Sequence, residues 1–382
     1  MNLIERALSA IGFEKRAIDG DPYWENFKAL RTGAVTPTTA ESLSTVASCV
    51  SAISETIGSL PLHLYKRTET GRERISDHSL AKALHDAPNE RQSALEFREL
   101  MTANMLLRGN AYAKIIRGND GQVKQLLPIT PDRVTVLDLS NGRLGYEVVN
   151  DDGKVEKYTQ DEIFHLRHRS DDGVLGVSPI TRSKAVVELA LAERDHGVET
   201  FRNGSKLLGV LTAPGNLNTD QRRRIAESWK AYKAGGTPVL DGGMDYKTVS
   251  MTLEDAEWIA ARQLSVEEVC RLFRVPPTIV GDLRHGNYSN TSELFRQFVT
   301  LSLRRHLLAW EQAISRQLLT EAGRRIYFAE HSLEGLLRGD STTRASFYHQ
   351  AITDGWMLID EVRQLENLPR LSHENTQTAN NV

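Results

Sequence analysis

Residues 178–204 read SPITRSKAVVELALAERDHGVETFRNG, and residues 252–277 read TLEDAEWIAARQLSVEEVCRLFRVPP. These two stretches decide the fold. In the first, Ser178 is a good N-cap and Pro179 suits the first helical position, where its missing N–H has no partner to lose. Ala185, Val187, Leu191 and Val198 mark one apolar face, and Gly204 suits the C′ position. The second stretch opens on Thr252 with Asp255 three residues on, a variant of the capping box. Its apolar face is Ile259, Val266, Val269, Cys270 and Phe273, and Pro276-Pro277 stops it. At 1.5 Å per residue each helix would be roughly 30–38 Å long. The segment between them is short and its ends must meet. The pattern therefore predicts an antiparallel helix pair with an insert at one tip.

The insert reads as a small β-α-β-β unit over residues 205–251. It has a strand at 207–211, a turn at Ala213-Pro214-Gly215, and a helix N-capped by Thr219 that runs to about 234. Gly235-Gly236 stops that helix, and strands at 238–240 and 246–249 flank Asp241-Gly242-Gly243. Beyond the second long helix, residues 281–292 (GDLRHGNYSNTS) form a polar loop. Asn290 and Glu293 then offer a capping pair for a third long helix, to about residue 319, with Leu294, Phe298, Leu301, Leu308, Ala309 and Ile314 on its apolar side.

Upstream, residues 1–40 read as an arm. Leu3, Ile4, Leu8, Ile11 and Phe13 interleave with Glu5, Arg6, Glu14 and Lys15, which predicts a short amphipathic helix over 1–16 and not the uncharged core of a signal peptide. Asp19-Gly20-Asp21-Pro22 and Thr36-Pro37-Thr38-Thr39 are breaks. A helix over 40–60 follows, with Leu43, Val46, Ala47, Val50, Ile53, Ile57 and Leu60 in one stripe and Pro61 at its end. Next come a strand at 62–67, a short helix at 79–85, and a helix at 94–107 stopped by Gly109-Asn110. Strands at 111–117, 123–128, 134–139, 144–149 and 155–158 are separated by Asn119-Asp120-Gly121, Asn141-Gly142 and Asp151-Asp152-Gly153, which favour tight hairpins. Region 62–170 is thus an α+β unit with an antiparallel sheet. After residue 323 the pattern predicts a strand at 325–328, two or three short helices, and a polar, disordered tail over 372–382.

Composition sets the class. The chain has 382 residues, 40% hydrophobic and 25% charged, which suits two or three globular domains. Lysine and arginine total 47 against 50 aspartates and glutamates, so grip on nucleic acid by bulk positive charge is excluded. Two cysteines, Cys49 and Cys270, fall on apolar helix faces and read as core thiols in a reducing, cytoplasmic setting. No apolar run reaches the ~18 residues of a membrane-spanning helix. The P-loop, the dinucleotide fingerprint, the G-x-S-x-G elbow, C-x-x-C and H-E-x-x-H are all missing, and no cofactor is expected.

Three clusters remain. His165-Leu166-Arg167-His168 with Asp171 and Asp172 has metal-ligand residue types, but strand alternation puts the two histidines on opposite faces. Arg222-Arg223-Arg224 opens the insert helix, where positive charge is slightly unfavourable, so a partner surface competes with a solvated face. Arg304-Arg305-His306 lies mid-helix, with adjacent arginines about 100° apart.

The chain resembles the phage portal (head–tail connector) proteins of long-tailed double-stranded DNA phages over about residues 40–370. The likeness rests on segments in order: Leu60-Pro61-Leu62-His63-Leu64-Tyr65; Gly109-Asn110-Ala111-Tyr112-Ala113; Leu127-Pro128-Ile129-Thr130-Pro131-Asp132-Arg133-Val134; Asp161-Glu162-Ile163-Phe164-His165-Leu166-Arg167; Gly176-Val177-Ser178-Pro179-Ile180; Phe273-Arg274-Val275-Pro276-Pro277; and Asn287-Tyr288-Ser289-Asn290. The resemblance implies an α+β portal-type fold, assembled as a ring of twelve subunits. After the arm, it implies a wing over 41–177, stem helices over 178–204 and 252–277, and a clip over 205–251. A tunnel loop over 278–292, a long helix returning to the wing over 293–329 and a crown over 330–371 complete the division.

It implies a non-enzymatic protein at one capsid vertex, made in the host cytoplasm, that nucleates procapsid assembly and passes double-stranded DNA without sequence preference. Implied partners are further copies of itself, the terminase large subunit, the major capsid protein or scaffold, and a head-completion adaptor, with no membrane. The expected channel residues are Arg284, His285, Gly286, Asn287, Tyr288, Ser289 and Asn290. The expected clip surface is Arg222, Arg223 and Arg224. Three other readings stand beside it: a different virion ring or adaptor, a metal-dependent nuclease using Asp171, Asp172 and His168, and a sequence-specific DNA binder.

Overall fold

A computed structural model describes residues 16–17, 35–202, 209–212, 215, 218–231, 243–248, 253–284, 291–333, 341–366 and 368–369. Its elements in chain order begin with β1 (Arg16–Ala17), α1 (Pro37–Glu41), α2 (Ser44–Ser59), β2 (Leu62–Thr68), β3 (Gly71–Ile75), α3 (Ser79–His85) and α4 (Ala94–Arg108). They continue with β4 (Asn110–Arg117), β5 (Val123–Ile129), β6 (Val134–Asp138), β7 (Leu144–Val149), β8 (Val155–Thr159) and β9 (Ile163–Arg167). Then come α5 (Pro179–Arg182), α6 (Lys184–Arg202), β10 (Gly209–Thr212), α7 (Thr219–Ala231), β11 (Asp245–Thr248) and α8 (Leu253–Phe273). Last are α9 (Thr291–Gln297), a π-helical stretch (Phe298–Leu303), α10 (Arg304–Leu318), α11 (Glu321–Ile326), β12 (Tyr327–His331), α12 (Ser341–Thr353) and α13 (Ile359–Leu365). The class is α+β, and every strand pair among the described residues is antiparallel.

The strands form sheets ordered β1-β6-β7-β8, β12-β2-β3 and β5-β4-β9, with β10-β11 as a separate pair. One large core joins α2, α4, the middle of β4 and β9, α8 and α10. Trp310 of α10 is its largest fully buried side chain. Its indole Nε1 donates to Thr102 Oγ1 at 3.0 Å, and its ring sits 5.7 Å from Phe164 and 6.2 Å from Phe97. This contact brings the returning helix onto the sheet. Gln317 extends the same union: its Nε2 donates to the His165 carbonyl at 2.9 Å, and its Oε1 accepts from the His165 N–H at 2.6 Å. A side-chain amide thus completes the edge of β9 as a neighbouring strand would.

Capping chemistry sets α4. Ser93 and Glu96 exchange hydrogen bonds as a capping box, and Gly109 closes the helix at φ 82°. Gly109 also lies against Gly176: a Cβ on Gly109 would stand 2.3 Å from the Gly176 carbonyl oxygen, and one on Gly176 would stand 2.1 Å from that of Gly109. Asn110 locks the approach. Its Nδ2 donates to the Gly176 carbonyl at 2.9 Å and its Oδ1 accepts the Gly176 N–H at 2.8 Å. The His168 N–H reaches the Gly109 carbonyl at 2.8 Å. Two residues further on, Ser178 caps α5 through the Thr181 N–H at 3.0 Å. The sheet therefore fixes where the helix pair starts.

Several expectations need correction. The helix expected from Ser178 is broken at Ser183 (ψ 43°), so a four-residue α5 precedes the 19-residue α6. Thr36-Pro37-Thr38-Thr39 is no break: Thr36 and Thr39 form a capping box for α1, and α2 follows as a second helix. The strand expected at 325–328 lies at Tyr327–His331, because Thr320 caps α11 first. Asn218, not Thr219, caps α7, with Asn218 and Gln221 exchanging bonds of 2.8 and 3.0 Å. Arg16 belongs to a strand on the edge of β6 and not to a helix. The first strand of the expected 238–249 hairpin, residues 1–15 and 18–34 of the arm, Gly204 and the 372–382 tail lie outside the described residues. Among the described residues no helix is long and apolar enough to cross a membrane.

The Gly109–Gly176 contact is backbone on backbone, so neither side can swing away. Gly109→Ala is expected to destabilise the protein by roughly 2–4 kcal/mol, read as a lower urea midpoint. An unchanged midpoint would show that the two segments can part without cost.

Candidate functional site

The sequence places functional expectation on the helix pair, its insert and the loop beyond it. Helices α6 and α8 do pack together, and Ser265 Oγ donates to Glu193 Oε2 at 2.6 Å. The start of α6 lies beside the end of α8, where Arg182, Ser183, Phe273 and Arg274 border one cavity. The pair is therefore antiparallel. Val187, Ala190 and Leu191 face inward from α6, and Val269, Cys270 and Phe273 from α8. The 21 residues of α8 give about 32 Å at 1.5 Å per residue. Cys270 meets Cys49 of α2; both are free, buried thiols, and this contact together with burial pushes Cys49 well up. They tie α8 to the core as packing groups.

The outward faces of this pair are less polar than a solvated helix requires. Leu189 is 53% exposed, Leu264 52% and Val198 40%. At the far end β10 and β11 pair in register from Gly209↔Thr248 to Thr212↔Asp245. Arg222, Arg223 and Arg224 follow the Asn218 cap on α7, and all three are exposed.

Of the expected channel residues, only Arg284 is described; His285, Gly286, Asn287, Tyr288, Ser289 and Asn290 lie outside the described residues. Gly281 takes φ 88° after Pro277–Val280, a conformation suited to glycine. Arg284 is held by Asp282: Nε donates to Oδ1 at 2.8 Å and Nη2 to Oδ2, with a further bond to the Gln263 carbonyl at 3.4 Å.

The histidines separate as strand alternation predicts. His165 is buried between Tyr146 OH at 3.1 Å and Asn110 Oδ1 at 2.9 Å. His168 instead bonds the Val177 carbonyl at 3.1 Å through Nδ1 and lies 5.5 Å from the His306 ring. Asp171 pairs with Arg182, and Asp172 Oδ1 accepts from Val174 N–H at 2.7 Å and Leu175 N–H at 2.9 Å. Among the described residues no three His, Cys, Asp or Glu side chains converge on a possible metal.

Sequence reading missed one assembly. Arg169, Arg182, Arg274 and Arg305 surround a cavity of about 170 Å³ together with His168 and His306. The residues come from the end of β9, from α5, the end of α8 and α10. Burial and neighbouring guanidinium groups hold His168 down to about 4, and burial with the same positive surroundings holds His306 down to about 3. The nearest sequence signal was Arg304-Arg305-His306 itself. Arg304 and Arg305 are both exposed, whereas His306 is buried.

The comparisons with known proteins agree with the fold. The family model described as Phage portal protein matches residues 44–367. The portal protein of Enterobacteria phage HK97 is 33% identical over 338 residues, 86% of this chain and 79% of that protein. The probable portal protein of Streptomyces phage phiC31 is 27% identical over 382 residues, 94% of this chain and 82% of that one. Among solved structures, a chain from the neck of an empty gene transfer agent particle, computed with C6 symmetry, superposes with a TM-score of 0.66 at 22% identity, covering 96% of this chain and 99% of the other. An HK97 family phage portal protein from Corynebacterium diphtheriae gives 0.57 at 16% identity, over 78% and 96%. The fold and the matching segments define a structural protein of the phage particle rather than an enzyme. The chain belongs to the phage portal protein family.

The depressed histidines make stability depend on pH with a definite sign. His306 and His168 are neutral in the fold down to about 3 and 4, and burial beside Arg74 holds His63 down to about 4. The unfolded chain takes up these protons near the ordinary value of 6.5. Between pH 6.5 and about 4 the unfolded state therefore binds more protons, and stability falls as pH falls. Thermal melts in chloride buffer should show Tm constant above pH 7 and dropping below 6.5. A Tm that stays flat or rises down to pH 4 would contradict these assignments.

Proposed function

We propose that copies of this chain stand around a closed axial channel through which double-stranded DNA passes at one vertex of the capsid. The observation that carries the reading is the helix pair: its inner faces are sealed, yet Leu189, Leu264 and Val198 remain exposed on its outer surface. Each buried leucine side chain is worth about 1.5–3 kcal/mol, so side-by-side packing of copies stabilises both faces at once. Solved neck chains of similar fold come from assemblies computed with C6 and C12 symmetry, which supports a twelve-fold ring. The net charge of −3 suits a channel wall that must let phosphate slide, since each neutralised phosphate adds affinity.

In this reading residues 41–177 are the wing, 178–204 and 252–277 the stem, and 205–251 the clip. Residues 278–292 are the tunnel loop, 293–329 the return to the wing, and 330–371 the crown. The loop residues His285 to Asn290 meet the duplex, with Arg284 braced by Asp282 at its foot. The exposed Arg222, Arg223 and Arg224 receive the terminase large subunit and, after packaging, a head-completion adaptor. The wing meets the major capsid protein or scaffold during assembly in the host cytoplasm.

Introducing charge on the outer stem, Leu189→Glu with Leu264→Glu, should convert rings to folded monomers in sedimentation velocity while circular dichroism is unchanged. Rings of normal size would reject side-by-side packing. Reversing charge at Arg222, Arg223 and Arg224 should leave the ring intact and weaken terminase docking at least tenfold; normal docking would remove the clip from the motor interface.

A further inference from the structure

The cavity at the root of the helix pair is bordered by several cationic side chains. Arg169, Arg274 and Arg305 border it, and among the described residues none of the three makes an ion pair or a side-chain hydrogen bond. Arg182 is the one bordering guanidinium offset by an acid, Asp171. Arg305 is held below its ordinary value by burial and by the charges of Arg274 and Arg169. Beneath these groups the His306 ring is 95% buried (5% exposed), and its Nδ1 has no hydrogen-bond partner.

Arg274 is the decisive residue. It occupies the C′ position of α8 at φ 58°, where helices ordinarily use glycine. It is the one non-glycine residue with positive φ among those described. The backbone around it is firmly set: the Val275 N–H closes on the Cys270 carbonyl at 3.0 Å, and Ser302 Oγ of the π-helical stretch donates to the Arg274 carbonyl. A left-handed arginine is strained where glycine would not be. That strain aims a guanidinium toward two others at the edge of a cavity. Strain of this kind collects at ligand clamps. Like charges brought together without an acid repel one another, and an anion among them reverses that sign.

We propose that this pocket binds a phosphate-class oxyanion, with Arg274, Arg305 and Arg169 as its ligands and His306 with His168 as its floor. Tetrahedral oxyanions match guanidinium forks, which present paired N–H donors. The cavity's 170 Å³ admits one such ion with water. Binding draws together the end of β9, α5, the end of α8 and the start of α10, the four segments from which the helix pair rises. The source of the phosphate is either the free ion or the DNA backbone, and the two are separable by experiment.

The test is calorimetric titration of the purified full-length protein with inorganic phosphate and with sulfate, in a buffer free of other oxyanions. One ion per subunit is expected. Sulfate, which does not titrate in this range, should bind more tightly at pH 5.5 than at pH 8, because a bound anion favours protonated His168 and His306 facing Arg169, Arg182, Arg274 and Arg305. Arg274→Gly removes a ligand while relieving the left-handed backbone, so it should fold at least as well and bind at least tenfold more weakly. Arg305→Gln should do the same, and the Arg222, Arg223 and Arg224 charge reversal should leave binding unchanged.

A short DNA duplex supplies the second arm. Competition with sulfate that is lost in Arg274→Gly identifies the backbone as the source, and its absence beside intact sulfate binding identifies the free ion. Either result upholds the pocket. Two outcomes overturn it: no saturable binding of either ion, or binding indifferent to Arg274→Gly and Arg305→Gln. If both variants bind no less but change the oligomeric state, a carboxylate of a neighbouring copy occupies the pocket instead.

Discussion

The contact between Gly109 and Gly176 is the constraint on which the rest of the structure depends. Two peptide backbones pass too close for any side chain, and Asn110 bonds both faces of the Gly176 peptide. One partner closes α4 and begins β4; the other lies two residues before the cap of α5. The core sheet and the first helix of the projecting pair therefore share one rigid joint. Around it, Trp310 and Gln317 fasten the returning helix to β9, and Ser302 fastens the π-helical stretch to the end of α8. A helix pair about 30 Å long needs such a base if its direction is to mean anything.

Above the joint, the energetics divide by face. Inward residues such as Val187, Val269 and Phe273 are sealed, and the Cys49–Cys270 contact binds α8 to α2. Outward leucines are left to water. A single chain gains nothing from Leu189 and Leu264 where they stand, whereas a neighbouring copy would bury them. In the proposed ring the same division suits the near-neutral charge: subunits would hold together through apolar area, and DNA would be left free to move.

Much of this was legible in the sequence, and the exceptions are instructive. The cap at Ser178, the stop at Pro276-Pro277 and the apolar stripes of α2 and α8 rest on local chemistry, and local chemistry is what a sequence displays. The segments that carried the family resemblance, around Gly109-Asn110, Gly176 and Phe273-Arg274, are brought together in space at the joint. Their separate motifs did not say so. The Ser183 break and the π-helical stretch escaped because both answer to packing against neighbouring segments rather than to periodicity. The arginine pocket was invisible for a stronger reason: its members lie on four segments, and Arg274 reads as an ordinary helix-terminal arginine until its φ is known. At the foot of the loop, the Arg284–Asp282 pair was likewise not written in any motif.

In the proposed ring, helix pairs rooted at this joint stand side by side around an opening. Electron micrographs of the purified full-length protein, averaged by class, test it most directly. Closed rings are expected, with an axial bore wide enough for a DNA duplex and with the helix pairs forming its wall. A solitary globule, or an assembly whose centre is filled, would contradict it.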